Sequence, residues 1–169
     1  MKTLIALLML VAFNSALADE YPAWPELAPL FGKEKDSIQV KVFVTKWKLK
    51  EHTKGSSGGF TPENHSYSLL YRQNEIVTII LNVLPPPAGY GEESWTAYKP
   101  TLPFGIKQTD KPEELTERFG EPVSKIGTTW EHDGYQIWAL FRKENGDLSE
   151  LYISKISEPQ PQQGEGGNG

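Results

Sequence analysis

Two dipeptides in the second half of the chain, Asp133-Gly134 and Asn145-Gly146, restrict most strongly how it can fold. Each lies between runs in which apolar and polar residues alternate. Asp-Gly and Asn-Gly pairs favour the tight turns of β-hairpins because both residues tolerate positive φ. The pattern therefore predicts three successive antiparallel strands, at residues 125–132, 135–142 and 148–156.

A short helix is predicted directly before these strands, from about Pro112 to Phe119. Asp110 is expected to act as its N-cap, and a proline is favourable in the first turn. Leu115 and Phe119 are four residues apart and would share one side of the helix, which Gly120 would end. The second half is thus expected to be one helix followed by three strands.

The first half shows a similar order. Residues 26–31 are expected to form a short helical turn, and residues 37–49 a strand, because apolar side chains alternate there. The glycine-rich segment 51–64 is expected to be a flexible loop or a long hairpin tip. A hairpin is predicted from residues 67–72 and 75–84. Its second strand is apolar on both faces, so it should lie centrally in a sheet that is covered on both sides.

Together these patterns predict an α+β fold. We expect an antiparallel sheet of about six strands with short helices, arranged as two helix-plus-three-strand units that share the sheet. One domain should occupy residues 19–157, with halves of about 19–100 and 101–157. Beyond it, residues 158–169 are rich in proline, glutamine and glycine, which predicts a disordered tail.

Residues 1–18 have the pattern of a secretory signal peptide. Lys2 precedes an apolar run at residues 4–13, and Ala16 and Ala18 supply the small residues of a cleavage site before Asp19. The run is about half of the ~20 residues that a bilayer-spanning helix requires. We therefore expect export to the periplasm with cleavage after Ala18, and no membrane insertion.

Composition excludes several classes of function. Removal of the predicted leader takes away one lysine and leaves 16 basic and 22 acidic residues, a formal charge of −6. This acidity disfavours nucleic acid and anionic membranes as partners. The absence of cysteine excludes thiol chemistry, thiolate metal sites and a lipoprotein anchor, and it fits a bacterial periplasm.

No catalytic residue, metal site or cofactor is predicted. The three histidines lack partners at metal-ligand spacing: His52, His65 and His132. The sequence Glu131-His132-Asp133 resembles an acid/base cluster, but it precedes a predicted turn, where polar residues and aspartate serve the turn itself. The chain is therefore predicted not to be an enzyme.

Aromatic residues give the stronger functional signal. The chain has five Trp and seven Tyr, and several fall in predicted loops or on polar sides of strands, where such residues anchor protein interfaces. In segment 85–95, prolines limit the entropy lost on binding and two glutamates can meet a basic cleft. The predicted partner-binding residues are Tyr90, Glu92, Glu93, Trp95 and Trp138.

Part of the second half resembles a known family. The run Leu102-Pro103-Phe104-Gly105-Ile106, a helix that ends at Gly120-Glu121-Pro122, and a following strand with Trp130 are similar to a module of small immunity proteins from bacterial polymorphic-toxin systems. This resemblance implies a protein that binds and neutralises a cognate toxin without catalysis. The same unit is similar to one half of the β-lactamase inhibitor protein fold. It also resembles the small lipoprotein of the outer-membrane assembly machine, although this chain lacks the lipobox cysteine.

Three hypotheses follow. The leading one is a periplasmic immunity or inhibitor protein whose partner is a cognate protein toxin with a basic or cleft-like site. The alternative is a housekeeping periplasmic binding or envelope-assembly module. The third is a hydrolase whose site is assembled by the fold around His132 and Asp133, which would require a deep pocket at those residues.

Overall fold

The computed structural model describes residues 21–86, 95–124 and 128–156. Three short helices lie in these ranges, α1 (Trp24–Leu27), α2 (Ile38–Lys46) and α3 (Pro112–Phe119), together with 3₁₀ turns at Ala28–Leu30 and Pro103–Gly105. The strands are β1 (Lys50–Lys54), β2 (Ser57–Thr61), β3 (Tyr67–Arg72), β4 (Glu75–Asn82), β5 (Thr129–His132), β6 (Tyr135–Phe141) and β7 (Leu148–Lys155). The predicted α+β class is confirmed. The predicted leader and tail lie outside the described residues.

The seven strands form one antiparallel sheet in the order β1-β2-β3-β4-β7-β6-β5. Strands β1–β4 follow α1 and α2, and strands β5–β7 follow α3, so within the described ranges the first half of the chain contributes two helices and four strands and the second half one helix and three strands. The two halves join where β4 pairs with β7, from Thr78↔Ser154 to Asn82↔Glu150. The sheet's edges are β1, which is exposed along its whole length, and β5, which has four residues.

The hydrophobic core lies on one face of the sheet. A row of buried side chains crosses β2, β3, β4, β7, β6 and β5 at paired positions: Phe60, Leu69, Ile79, Ile153, Ile137 and Trp130. The buried helix residues Leu27, Val40, Phe43 and Leu115 belong to the same cluster. Because burial of apolar surface contributes about 25 cal/mol per Å², this face supplies the main stabilisation.

The prediction of a strand at residues 37–49 is wrong, because this segment forms α2. Ser37 caps the helix, and its Oγ accepts a hydrogen bond from the Val40 N–H at 3.4 Å. Val40 and Phe43, three residues apart, are buried, whereas Ile38 and Val42 are 83% and 63% exposed. The alternating β-branched residues favour a strand locally. Packing of one helix side on the sheet outweighs that preference.

Of the two alternatives predicted for residues 51–64, the flexible loop is wrong and the hairpin is nearer to the structure, since β1 and β2 form a hairpin there. Gly58 and Gly59 lie within β2, where neighbouring strands leave no room for a side chain. A Cβ on Gly59 would lie 2.9 Å from the Leu69 carbonyl oxygen, and one on Gly58 would overlap the His52 carbonyl oxygen and the Tyr71 hydroxyl. These glycines therefore allow close strand packing. The hairpin also brings the number of described strands to seven.

Two of the three predicted turns are confirmed. Gln73-Asn74 joins β3 to β4 with φ of 49° and 73°, and Asp133-Gly134 joins β5 to β6 with φ of 50° and 79°. Asn145-Gly146 instead lies within a longer connection, residues 142–147, in which the Arg142 N–H donates to the Asp147 carbonyl at 2.8 Å. The strands that these turns connect agree with the prediction to within one or two residues at most ends, and residues 125–127 lie outside the described ranges.

A bulge changes which residues of β4 face the core. Leu70 pairs with Thr78 and Tyr71 with Ile76, so Val77 has no paired residue on β3. Ile76 therefore joins the core at 1% exposure, while Val77 is half-buried. Strand β4 is central, as predicted. Its second face is less covered than predicted, because Val77 and Ile80 remain partly exposed.

Helix α3 has the predicted bounds but a different N-cap. Lys111 occupies that position, and its N–H donates to Glu114 Oε2 at 2.7 Å. Asp110 is buried instead, and its Oδ2 accepts from the Lys107 N–H at 2.9 Å and from the Arg118 guanidinium at 2.6 Å. The carboxylate thus ties the preceding turn to the last turn of α3.

Candidate partner-binding face

The second face of the sheet, which we name the open face, lies opposite the core. Two rows of side chains cross it at paired positions: Ser68, Ile80, Tyr152, Trp138 and Thr129 in the first, and Leu70, Thr78, Ser154, Gln136 and Glu131 in the second. All of them are half-buried or exposed, in contrast to the fully buried row on the core face. The open face is therefore accessible along the centre of the sheet.

An aromatic pair lies near the middle of the open face. Trp138 of β6 and Tyr152 of β7 are directly opposed, with ring centroids 4.8 Å apart and an angle of 36° between the rings. Trp138 is 39% exposed and is the one aromatic among the large hydrophobic residues that are exposed in the described ranges. The pair presents a continuous apolar area in a fixed orientation, which is typical of interface anchors.

Two depressions near this pair share Trp95 and Glu150. The first has a volume of about 210 Å³ and is also lined by His65, Ser68, Ile80, Asn82 and Tyr152. The second has a volume of about 320 Å³, and its lining includes Pro85, Pro86, Arg142 and Ser149. Half-buried Trp95 therefore borders the end of the open face and contributes to both depressions.

Two depressions coincide with irregularities in strand pairing. Glu150 pairs with Leu140 and Leu148 with Phe141, so Ser149 forms a second bulge and lines a depression next to Glu150. The first bulge, at Val77, lines a wider depression of about 860 Å³ at the other end of β4. Bulges are common at the edges of functional surfaces because they redirect side chains. Here each bulge lies beside a depression.

The structure brings two of the predicted partner-binding residues to this face. Trp138 lies on β6, the strand next to the β5 edge, and Trp95 borders one end of the face. Tyr90, Glu92 and Glu93 lie outside the described residues. Tyr152 and Glu150 also lie on this face, although neither was predicted from the sequence. Alternation along residues 148–156 indicates an outward position for Tyr152, but its contact with Trp138 depends on the register of β6 and β7.

The residues of the hydrolase hypothesis lie elsewhere. His132 packs against Phe104 and Phe119, with ring centroids 5.6 and 4.8 Å away, and its Nε2 is 3.4 Å from a carboxylate oxygen of Asp133. Asp133 is 73% exposed in its turn and, like His132, lines none of the depressions described above. In the described ranges no three His, Asp or Glu side chains are grouped to hold a metal ion.

Three tyrosines have pKa values above the ordinary value of 10. Burial is the largest cause at Tyr67, Tyr98 and Tyr152. At Tyr152 the hydroxyl also donates to Glu150 Oε2 at 2.8 Å, which further raises its pKa. At Tyr98 the hydroxyl donates to the Pro22 carbonyl at 2.5 Å, and the negative charge of Glu26 raises the pKa of the phenol.

Alkaline titration should reveal these groups. The folded chain retains their protons at pH values where the unfolded chain releases them, so folding stability should decrease as the pH rises above about 10. Absorbance at 295 nm should show that ionisation of about three tyrosines is delayed in the native chain relative to the chain in urea. Complete ionisation near pH 11 in a chain that remains folded by circular dichroism would contradict this expectation.

No described helix has the length and hydrophobicity needed to cross a bilayer.

Comparisons with known proteins show little similarity. No known family model matches the chain, and no curated protein matches it in sequence. A crystal structure of a cysteine-rich secretory protein from Staphylococcus aureus subsp. aureus Mu50 aligns with a TM-score of 0.48 and 10% identity over 75% of this chain. The chain spans 45% of the length of that protein, and we transfer no function from it.

Proposed function

We propose that this chain is a periplasmic immunity or inhibitor protein that binds a cognate protein toxin through its open face and neutralises it without catalysis. The observation that carries the proposal is the pair of exposed Trp138 and half-buried Tyr152 on an accessible sheet face. The resemblance of the second half to immunity proteins gives the proposed class of partner.

The geometry of the open face suits protein binding. Both aromatic residues lie on strands whose opposite side is fully buried at Ile137, Ala139, Leu151 and Ile153, so their backbones are firmly held. Rigid aromatic anchors bury a large area with little loss of conformational entropy on binding. Depressions beside the anchors can receive side chains from the partner.

Export is part of the proposal. Tyr21, the first described residue, is 8% exposed, and the Pro22 carbonyl accepts a hydrogen bond from buried Tyr98. Tyr21 and Pro22, three and four residues after the expected cleavage site at Ala18, are therefore packed against the domain. N-terminal sequencing of the protein from a periplasmic extract should give Asp19 as the first residue, and an uncleaved chain in the cytoplasm would contradict export.

The partner should be identified and then tested directly. A tag placed after Ile156 would allow the exported protein to be captured from its own host, with bound proteins identified by mass spectrometry. A candidate partner should then be produced in the periplasm of a susceptible strain. The proposal requires this partner to be toxic alone and harmless when the chain is co-expressed in stoichiometric amounts.

Substitutions should locate the contact on the open face. Trp138→Ala is expected to weaken toxin binding by about 2 kcal/mol, roughly 30-fold, because it removes the exposed aromatic anchor. Ile38→Ala is the matched control, since Ile38 is an exposed apolar residue on α2, away from the open face. Titration calorimetry with the purified pair provides the measurement. Equal affinities of the two variants for the toxin would exclude the open face as the binding surface. Capture of a non-toxic constitutive envelope protein as the partner would favour the housekeeping binding module.

A further inference from the structure

We infer that the 210 Å³ depression bordered by Trp95, Tyr152 and Glu150 receives one cationic side chain, a lysine or an arginine, from the partner. The inference rests on the proposed function, because it specifies the chemistry of one contact on the open face.

The walls of the depression suit a long basic side chain. Ile80 and Tyr152 come from the central strands β4 and β7, and Trp95 borders the end. Tryptophan and tyrosine rings attract cations, and lysine and arginine bury their methylene stems against apolar surface while the charged end reaches a polar group. The volume of the depression admits one side chain. It is too small for an α-helix, which is about 10 Å across.

Glu150 supplies the complementary charge. It is the one Asp, Glu, Lys or Arg residue that lines this depression. The Tyr152 hydroxyl donates to its Oε2 at 2.8 Å, which orients the carboxylate and leaves Oε1 able to accept hydrogen bonds. In the part of the chain that the structure describes, Glu150 forms no ion pair with lysine or arginine.

This arrangement favours a cation over other side chains. A half-buried carboxylate without an ion pair has lost part of its hydration, and a charge-assisted hydrogen bond from a partner would offset that cost. The nearby cations Arg142 and Lys143 line the other depression, which Glu150 also borders, and Arg142 donates to the Pro85 carbonyl. An acidic side chain would be repelled by Glu150, and a neutral one would form a weaker hydrogen bond.

The test uses small probes and the full chain. N-acetyl-arginine methylamide is titrated into the ¹⁵N-labelled protein, and the indole N–H resonance of Trp95 is followed by NMR. The citrulline analogue is the control probe, because it has nearly the same shape without the charge. We expect a saturable shift with the arginine probe, with a dissociation constant on the order of millimolar, and no saturable shift with the citrulline probe.

Variants then assign the contact to Glu150. Glu150→Gln should weaken binding of the arginine probe about tenfold, because it removes the charge but keeps the side-chain size. Glu131→Gln is the matched control, since Glu131 lies on the same face outside the depression and the affinity should not change. Equal shifts with both probes, or unchanged affinity in Glu150→Gln, would overturn the inference.

The outcome is separable from that of the proposed function. Toxin binding by the Trp138→Ala variant does not depend on either probe. Loss of toxin affinity in Trp138→Ala together with no saturable binding of the arginine probe would overturn the cation site alone. Probe binding with unchanged toxin affinity in Trp138→Ala would support the cation site and count against the proposed use of the open face.

Discussion

Replacement of Gly58 by alanine is expected to lower the free energy of unfolding by about 3 kcal/mol. The added Cβ would overlap the His52 carbonyl oxygen and the Tyr71 hydroxyl. The carbonyl cannot move without separating β1 from β2, and the hydroxyl is held by a hydrogen bond to Glu51 Oε1 at 2.8 Å. Urea denaturation followed by circular dichroism should show a lower midpoint with an unchanged slope.

Two further variants make this measurement specific. Ser56→Ala, at the exposed hairpin tip, is the control and should change stability by no more than about 0.5 kcal/mol. Tyr71→Phe added to Gly58→Ala should recover only a small part of the loss, because it removes the overlapping hydroxyl but keeps the ring carbon Cζ, 2.6 Å from the added Cβ. A double-mutant cycle gives the coupling energy. A Gly58→Ala variant as stable as the wild type would instead support the flexible loop that the sequence predicted.

Replacement of Asp110 by alanine should also cost about 3 kcal/mol of stability. The Asp110 side chain is 7% exposed and bonds Arg118 at 2.6 Å and the Lys107 N–H at 2.9 Å. Its removal leaves the guanidinium, 29% exposed, without its carboxylate and the N–H without its acceptor. Thermal and urea unfolding of the Asp110→Ala variant and the wild type would give the change in the free energy of unfolding.

An exposed ion pair provides the comparison. Glu63 is 89% exposed and lies 3.6 Å from Lys50, so Glu63→Ala should change stability by no more than about 0.5 kcal/mol. Similar losses of stability in the Asp110→Ala and Glu63→Ala variants would mean that the burial of Asp110 does not determine how much its ion pair contributes to stability.

The fold could be predicted where local chemistry decides it. Asp133-Gly134 supplies the positive φ values of the β5–β6 turn, and the apolar spacing of α3 matches its buried side. The segment around Val40 and Phe43 misled the prediction because its alternation is local, whereas the packing that makes it a helix involves distant strands. Gly58 misled it similarly, since glycine favours loops unless a neighbouring strand excludes a side chain.

The open face could be predicted only in part. Alternation along β6 places Trp138 outward, so a candidate interface residue was visible in the sequence. Its pairing with Tyr152 depends on register between strands that are joined by a six-residue connection. The bulge that leaves Ser149 unpaired has no local sequence marker, so the depression that Ser149 lines could not be predicted.

The edges of the sheet affect how the chain behaves among many copies of itself. An unpaired strand edge can template the addition of strands from other molecules, which is a route to aggregation. Lys50 and Lys54 charge both ends of β1, and β5 is only four residues long. Growth of the sheet from molecule to molecule is thereby discouraged. The chain can expose an aromatic surface on its open face without offering neighbouring copies a template for fibril formation.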